Sequence, residues 1–152
     1  GQAAMALEYV ADAAVDDAYP FAILQEAGEQ GGRGAGEKKS PLLPRTSAPP
    51  LVFDWQPLLE SALGDLSRGV ERGIIAARFH NALVEAIIAV AQKIGEENIA
   101  LSGGCFQNRL LTERAATRLA RAGFRVLLHR HVPPNDGCIS LGQVAVAAAR
   151  NL

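Results

Sequence analysis

Residues 98–123 have the sequence NIALSGGCFQNRLLTERAATRLARAG, which passes from a short apolar run through a glycine pair to an amphipathic segment. This pattern predicts a strand, a tight glycine turn and a helix that ends at Gly123. Residues 124–130 then predict a second strand, 132–137 a turn and 138–150 a final helix. Strands that alternate with helices at this spacing indicate crossover connections, so we expect an α/β fold with a largely parallel sheet.

The long apolar segment at 70–94 predicts a central helix. Its polar side chains form only a narrow stripe, so most of the helix should be buried. His80 lies within it, and a buried structural histidine is favoured over a metal ligand because no second ligand lies one turn away. The stripe consists of Arg78, Asn81, Glu85 and Gln92. The other predicted elements are helices at 2–15 and 57–66 and strands at 21–24 and 51–55, the last followed by a helix that Asp54 could cap.

Residues 28–50 differ from the rest of the chain because glycines, prolines and scattered charges replace the apolar periodicity. So little of this segment can be buried that it predicts a loop or a mobile insertion. The chain also opens at Gly1 within a predicted helix and without an initiator methionine, so we expect it to be part of a longer polypeptide.

Composition restricts the class of protein. The 152 residues carry a net charge of −1 and only 5% aromatic side chains, which argues against a nucleic-acid partner. Cys105 and Cys138 form no disulfide framework, so both are expected to be reduced thiols in a cytoplasmic protein. Charged and polar residues interrupt the longest apolar region, so no membrane helix and no membrane partner are predicted.

The first candidate site is the glycine pair Gly103-Gly104. It should lie at the carboxyl end of a strand, where α/β sheets bind ligands. Residues without a Cβ let a ligand approach the backbone, and the N–H groups at the start of the next helix favour an anion. Asn108 can add both a donor and an acceptor. The motif is neither a Walker A loop nor a G-x-G-x-x-G fingerprint, and a simple tight turn is the alternative interpretation.

The second candidate site is the segment VPPNDGC at 132–138. Asp136 either caps the helix at 138–150 or ligates a metal ion. His129 and His131 would share one face of a strand as a metal pair does, although an ordinary strand edge is the favoured interpretation. No base for a nucleophilic Cys105 or Cys138 is evident in the sequence, so packing is the favoured role of both thiols.

Four segments together resemble the carboxyl-terminal end of the HypF family of carbamoyltransferases. The two most specific are SGGCFQNR at 102–109 and PPNDGCISLGQ at 133–143, and GQAAMALE at 1–8 and GIIAARFHNAL at 73–83 follow the same order as in the family. The resemblance covers nearly the whole chain outside 28–50. It implies the second lobe of an actin-like, ribonuclease-H-like nucleotide-binding fold of the ASKHA class, with a partly parallel sheet flanked by helices.

The resemblance also implies a chemistry. HypF proteins make a carbamoyl-adenylate from carbamoyl phosphate and ATP, and pass the carbamoyl group to the carboxyl-terminal cysteine of HypE during synthesis of the cyanide ligands of [NiFe] hydrogenases. By this likeness Asp136 matches a ligand of the active-site divalent metal, which would be Mg, Fe or Zn. The positions that would line the nucleotide site are Gly1, Gln2, Gly103, Gly104 and Asn108.

The chain departs from the family in what it lacks and at single positions. The histidine-rich metal motif of the first lobe is absent, as are the acylphosphatase-like domain, the cysteine-rich zinc segment and the YrdC-like domain. Cys138 replaces the usual glycine, Cys105 an apolar residue and Ala6 a common glutamate. We therefore expect weak nucleotide binding, no catalysis by this lobe alone, and self-association through its exposed lobe–lobe surface. The alternatives are a TobZ-like or threonylcarbamoyl-type transferase on the same fold, or a non-catalytic assembly lobe.

Overall fold

The computed structural model describes residues 2–25 and 51–150, so the predicted insertion at 28–50 lies outside the described residues. All predicted helices and strands are present within these ranges, with small shifts at their ends. Helix α1 ends at Val10 rather than at residue 15, because the Asp12 carboxylate accepts a hydrogen bond from the Ala14 N–H (2.9 Å) and starts a turn. The elements are α1 (Gln2–Val10), β1 (Ala22–Gln25), β2 (Leu51–Asp54), α2 (Gln56–Ser67), α3 (Arg72–Ile94), β3 (Asn98–Leu101), α4 (Arg109–Arg121), β4 (Arg125–Leu128) and α5 (Ile139–Arg150), with 3₁₀ turns at Gly104–Gln107 and Asp136–Cys138.

Helix α3 is the central element, as the sequence predicts. It is long and apolar enough to cross a membrane by length and composition, with a mean hydropathy of 1.6, but 44% of that apolar window is buried inside the protein. Several of its buried positions are alanines, and the small side chains let neighbouring segments approach the helix closely. The buried polar residues His80 and Asn81 are both hydrogen-bonded within the protein. These features are those of a core helix.

The unit β3–α4–β4 forms the main hydrophobic core together with α3. Strands β3 and β4 are parallel, with Ile99 opposite Val126 and Leu101 opposite Leu128. Of these, Ile99, Leu101 and Val126 pack into a cluster formed by Leu111, Ala115 and Leu119 of α4 and Val84, Ile88 and Ala91 of α3, whereas Leu128 is exposed. A parallel pair requires a crossover connection, and α4 supplies it, which confirms the predicted crossover unit.

The predicted single, largely parallel sheet is wrong in part. The described residues form two separate two-stranded sheets, of which only β3–β4 is parallel. Strands β1 and β2 pair with each other in antiparallel fashion, and the Phe21 and Phe53 rings lie beside each other with centroids 5.4 Å apart. The sequence pattern located each strand but could not show that the first two would pair as a ladder of their own, because pairing depends on contacts remote in sequence.

Two helices are attached to this core by few apolar contacts. Neither α1 nor α5 has a buried residue. On α5 the side chains of Ile139, Leu141, Val144 and Val146 are each more than half exposed. The position of α1 therefore depends on polar contacts with α3 and α4.

A buried carboxylate joins α2, α3 and the segment that precedes β1. Asp65 is 4% exposed and accepts hydrogen bonds from the Tyr19 hydroxyl (2.8 Å), from Arg78 Nη1 (2.8 Å) and from Arg68. These donors, Tyr19 first, lower the pKa of Asp65 to about 2. Burial is the main reason that the pKa of Tyr19 is raised to about 12. No local pattern indicates this network, since the sequence predicts Arg78 only as part of a polar stripe.

Candidate functional site

The loop between β3 and α4 is built around one glycine with an unusual backbone. Gly103 has φ +105°, which an L-residue with a side chain rarely adopts. Its N–H donates to the Pro134 carbonyl oxygen at 2.7 Å, and its own carbonyl accepts from the Phe106 N–H at 3.0 Å. Gly103 thus turns the chain out of β3 and attaches this loop to the turn before α5.

Gly104 differs from Gly103, because neither its backbone nor its packing requires a glycine. Its φ is not positive, and a Cβ built on it meets no atom within 4 Å. Among the described residues, the backbone N–H groups of Gly104 and Cys105 have no backbone acceptor. The loop therefore presents two adjacent amide donors beside open space, an arrangement that suits an anionic oxygen.

The turn at 132–138 lies directly beside this loop. Besides the bond between Gly103 and Pro134, the His129 Nε2 and Ser102 Oγ atoms are 2.9 Å apart. The structure therefore brings together the two segments that the sequence singled out. The predicted Asp136 cap is wrong, because the side chain of Asn135 accepts the hydrogen bond from the Gly137 N–H (3.0 Å). Asp136 is exposed, and its carboxylate accepts no hydrogen bond from the described residues.

The histidine pair and Cys105 differ from their predicted roles. Strand β4 ends at Leu128, so neither His129 nor His131 lies in a strand. Cys105 is exposed and Cys138 half-buried, and both are free thiols, so Cys105 does not fill a packing position. Within residues 2–25 and 51–150, no group of three or more His, Cys, Asp or Glu side chains could hold a metal ion.

Asn108 is the N-cap residue of α4, and most of its hydrogen-bonding capacity is occupied. Its Oδ1 accepts from the Leu111 N–H at 2.8 Å, and its Nδ2 lies 2.9 Å from Nε2 of His80. His80 is 3% exposed, and its Nδ1 is 2.7 Å from the Ala76 carbonyl oxygen. The prediction of a buried histidine is confirmed, and its contact with a candidate site residue was not foreseen.

The first N–H groups of α4 are occupied, contrary to the expectation that they would be free for a ligand. Oε1 of Glu8 accepts from the Arg109 N–H at 2.7 Å and from the Leu110 N–H at 3.2 Å. Glu8 on α1 therefore neutralises the positive end of α4. No local pattern could have revealed this, because Glu8 lies about a hundred residues before the helix that it caps.

The other two candidate nucleotide residues lie at the start of the chain. Gly1 lies outside the described residues, and Gln2 is the exposed first residue of α1. Because Glu8 ties α1 to the start of α4, Gln2 is on an element that is anchored beside the Gly103–Asn108 loop.

A second polar cluster, which the sequence pattern does not indicate, contains Arg114 of α4 and Asn81 of α3. Asn81 donates to the carbonyl oxygens of Val15 (2.9 Å) and Asp17 (2.8 Å), while Arg114 donates to Asn81 and to the Ala13 carbonyl (3.0 Å). These contacts border a hollow of about 240 Å³. The contacts of Asn81 and Arg114 fix segment 13–17 against α3 and α4.

Comparison with known proteins assigns the chain to a family. Residues 1–143 match the family model described as the second subdomain of the Kae1-like domain of carbamoyltransferases. Carbamoyltransferase HypF of Synechocystis sp. is 43% identical over 109 residues, which cover 71% of this chain and 14% of the relative. Carbamoyltransferase HypF2 of Cupriavidus necator is 40% identical over 162 residues, which cover 99% of this chain and 19% of the relative. The chain thus spans less than a fifth of the length of these relatives.

Solved structures agree in fold. The crystal structure of full-length HypF in the phosphate- and nucleotide-bound form superimposes with a TM-score of 0.78 at 34% identity, over 97% of this chain and 17% of that one. The crystal structure of HypF from T. kodakarensis gives a TM-score of 0.64 over 97% of this chain at 21% identity, which supports the fold alone.

Proposed function

The chain belongs to the Kae1-like carbamoyltransferase family, as its second subdomain, and from this premise we propose that it is the nucleotide-binding lobe of a HypF-type carbamoyltransferase. Relatives named carbamoyltransferases support a transferase role. In the proposed reaction, carbamoyl phosphate loses its phosphate to water, the resulting carbamate reacts with ATP to give a carbamoyl-adenylate and pyrophosphate, and the carbamoyl group then passes to the thiolate of the carboxyl-terminal cysteine of HypE in the cytoplasm with AMP as the leaving group. A lobe of the actin-like, ribonuclease-H-like (ASKHA) fold is part of this proposal.

The observation that carries the proposal is the bare backbone at Gly104. The fold itself does not require glycine at position 104, because the φ angle is not positive and a Cβ there would have no atom within 4 Å. Glycine is required at this position if a ligand approaches the backbone, because any side chain would occupy the space that the ligand needs. The amides of Gly104 and Cys105 would then donate to a phosphate oxygen of the nucleotide. Asn108 would contribute a further donor from the end of the same loop.

The described residues fit a divalent metal only in part. Asp136 is exposed and free of hydrogen bonds within the described structure, so its carboxylate can bind a hard cation such as Mg²⁺. One carboxylate is too few ligands, and no group of three lies within residues 2–25 and 51–150. When bound, such a cation would polarise phosphate or acyl oxygens. Asp136 would hold it at the edge of the Gly103–Asn108 loop.

The task of this lobe is therefore binding and positioning. Its amides would hold the nucleotide so that the carbamoyl group lies beside an acceptor thiolate, and such positioning supplies a large part of a rate enhancement. The other metal ligands, the carbamoyl phosphate site and the contacts with HypE would come from the rest of a longer enzyme, and the isolated lobe would be inactive. The identity of 40–43% to HypF carbamoyltransferases favours a HypF-type enzyme over a TobZ-like or threonylcarbamoyl-type one.

Titration calorimetry with ATP and Mg²⁺ tests this proposal. The chain should bind ATP weakly, and Gly104→Val should abolish binding while the protein stays folded, because a Cβ at this position has no protein atom within 4 Å. Gly142→Val is the matched control, since Gly142 also has nothing within 4 Å of a built Cβ but lies on α5. Equal ATP affinity of the Gly104→Val variant and the parent chain would refute this site. Absence of ATP binding by the parent chain would instead favour the non-catalytic assembly lobe.

A further inference from the structure

We propose that His80 is a positioning residue that fixes the orientation of the Asn108 side-chain amide, so that the loop offers a bound nucleotide a hydrogen-bond donor rather than an acceptor. This inference rests on the proposed function. It follows from the hydrogen bonds of two side chains, one buried in α3 and one at the start of α4.

The protonation of the His80 ring is set by its partner on α3. Nδ1 lies 2.7 Å from the carbonyl oxygen of Ala76, and a carbonyl oxygen can only accept. Nδ1 must therefore carry a proton. In a neutral imidazole the other nitrogen, Nε2, is then an acceptor. The ring is 3% exposed, so solvent does not compete for either nitrogen.

The acceptor at Nε2 decides which way the Asn108 amide faces. The Asn108 atom 2.9 Å from Nε2 must be the donor Nδ2. Oδ1 must then face the Leu111 N–H, where it accepts at 2.8 Å and caps α4. Two independent contacts, one at each end of the amide, thus require the same orientation. If the amide were rotated by 180°, Oδ1 would face the acceptor Nε2 of His80, and Nδ2 would face the Leu111 N–H, so neither contact could be a hydrogen bond.

The remaining hydrogen-bonding capacity of Asn108 is mainly one N–H. The first Nδ2 hydrogen goes to His80 and Oδ1 goes to α4, while the second Nδ2 hydrogen has no partner among the described residues. Asn108 ends the turn that begins with the Gly104 and Cys105 amides. The Gly104 and Cys105 amides and the second Nδ2 hydrogen of Asn108 are all donors, so together they would favour an oxygen acceptor, such as a phosphate or ribose oxygen, over a ligand N–H.

Long-range ¹H–¹⁵N correlation of the imidazole rings tests the orientation without any ligand. In the ¹⁵N-labelled chain, His80 should carry its proton on Nδ1, and His80→Gln should identify its signal among the three histidines. In Asn108→Asp the new carboxylate can only accept, so Nε2 should gain a proton. A wild-type His80 that carries its proton on Nε2 would overturn the inference.

Calorimetry with ATP tests the consequence for binding. The amide oxygen of Gln lies near the position of Nε2, whereas the amide of Asn reaches only the position of Nδ1. His80→Asn should therefore weaken ATP binding about tenfold, the size expected when a donor to a charged oxygen is lost. His80→Gln should retain affinity within about threefold, and thermal unfolding should show that both variants are folded.

Equal affinity of the His80→Asn variant and the wild type would overturn the inference and leave the proposed function intact. A wild-type chain that binds no ATP would overturn the proposed function and the donor role together. The ring measurement would then still decide whether His80 orients Asn108.

Discussion

Replacement of Glu8 by Ala should weaken the attachment of α1 to the rest of the protein. Helix α1 has no buried residue, so its position depends on the Glu8 carboxylate at the start of α4 and on the approach of its end to α3. At that second contact the Asp12 N–H donates to the Gly73 carbonyl oxygen at 3.0 Å. The two backbones lie so close together that a Cβ on Gly73 would be only 2.9 Å from the Val10 carbonyl oxygen. The variant removes the first contact and leaves the second.

The magnitude follows from the two hydrogen bonds that Glu8 accepts. They satisfy the N–H groups of Arg109 and Leu110 and place a negative charge at the positive end of a helix. Loss of such a cap costs about 1 kcal/mol, and loss of the charge at the dipole about 0.5 kcal/mol more. A change of about 1.5 kcal/mol corresponds to roughly a tenfold drop in protection from hydrogen exchange.

Hydrogen–deuterium exchange measures this effect segment by segment. Protection should fall in α1 and at the first amides of α4, while the rest of α4 and the strands β3 and β4 should keep their protection. Glu60→Ala is the matched control, because the Glu60 carboxylate only accepts from Gln56 Nε2 (2.7 Å) on its own helix. Unchanged protection of α1 in Glu8→Ala would refute this account of how α1 is held. If ATP binding became tighter instead, the nucleotide would be competing with Glu8 for the start of α4.

Four further predictions concern the core, the termini and the charges. The pKa of Asp65 lies below its unfolded value of 3.8, so its contribution to stability is present above that pH and should be lost as the pH falls through about 2, which acid unfolding with and without Asp65→Asn measures. Leu119→Ala, at a fully buried site, should reduce the free energy of unfolding in urea by about 3 kcal/mol, whereas Leu141→Ala on exposed α5 should change it by less than about 0.5 kcal/mol. Light scattering at rising concentration should show self-association, which Leu141→Glu should reduce; a monomer at high concentration would contradict this. Asp136→Asn should make ATP binding less dependent on Mg²⁺, and an unchanged Mg²⁺ dependence would exclude Asp136 as a ligand.

The sequence predicted the elements well because most of their signals are local. The periodic apolar residues of α3 and the glycine that ends α4 act through the residues beside them, and both helices lie where the pattern placed them. The motif at 102–109 also located the loop that meets the turn at 132–138. The contacts that were missed join residues remote in the sequence. Glu8 caps α4, and Asp65 binds Tyr19 and Arg78, but nothing in the neighbours of these residues indicates such partners.

The charges around the loop show what the proposed nucleotide site lacks. The positive end of α4 is already neutralised by Glu8, and the Arg109 side chain pairs with Glu113 (2.7 Å). The donors left for a phosphate are therefore the uncharged amides of Gly104, Cys105 and Asn108. Asp136 lies on the turn that is bonded to the same loop, and its negative charge repels a phosphate. A cation between the two would convert this repulsion into a bridge, but one carboxylate cannot hold it. Metal-assisted binding at the proposed site thus requires ligands besides Asp136, and residues 2–25 and 51–150 hold no group of three side chains that could bind a metal ion.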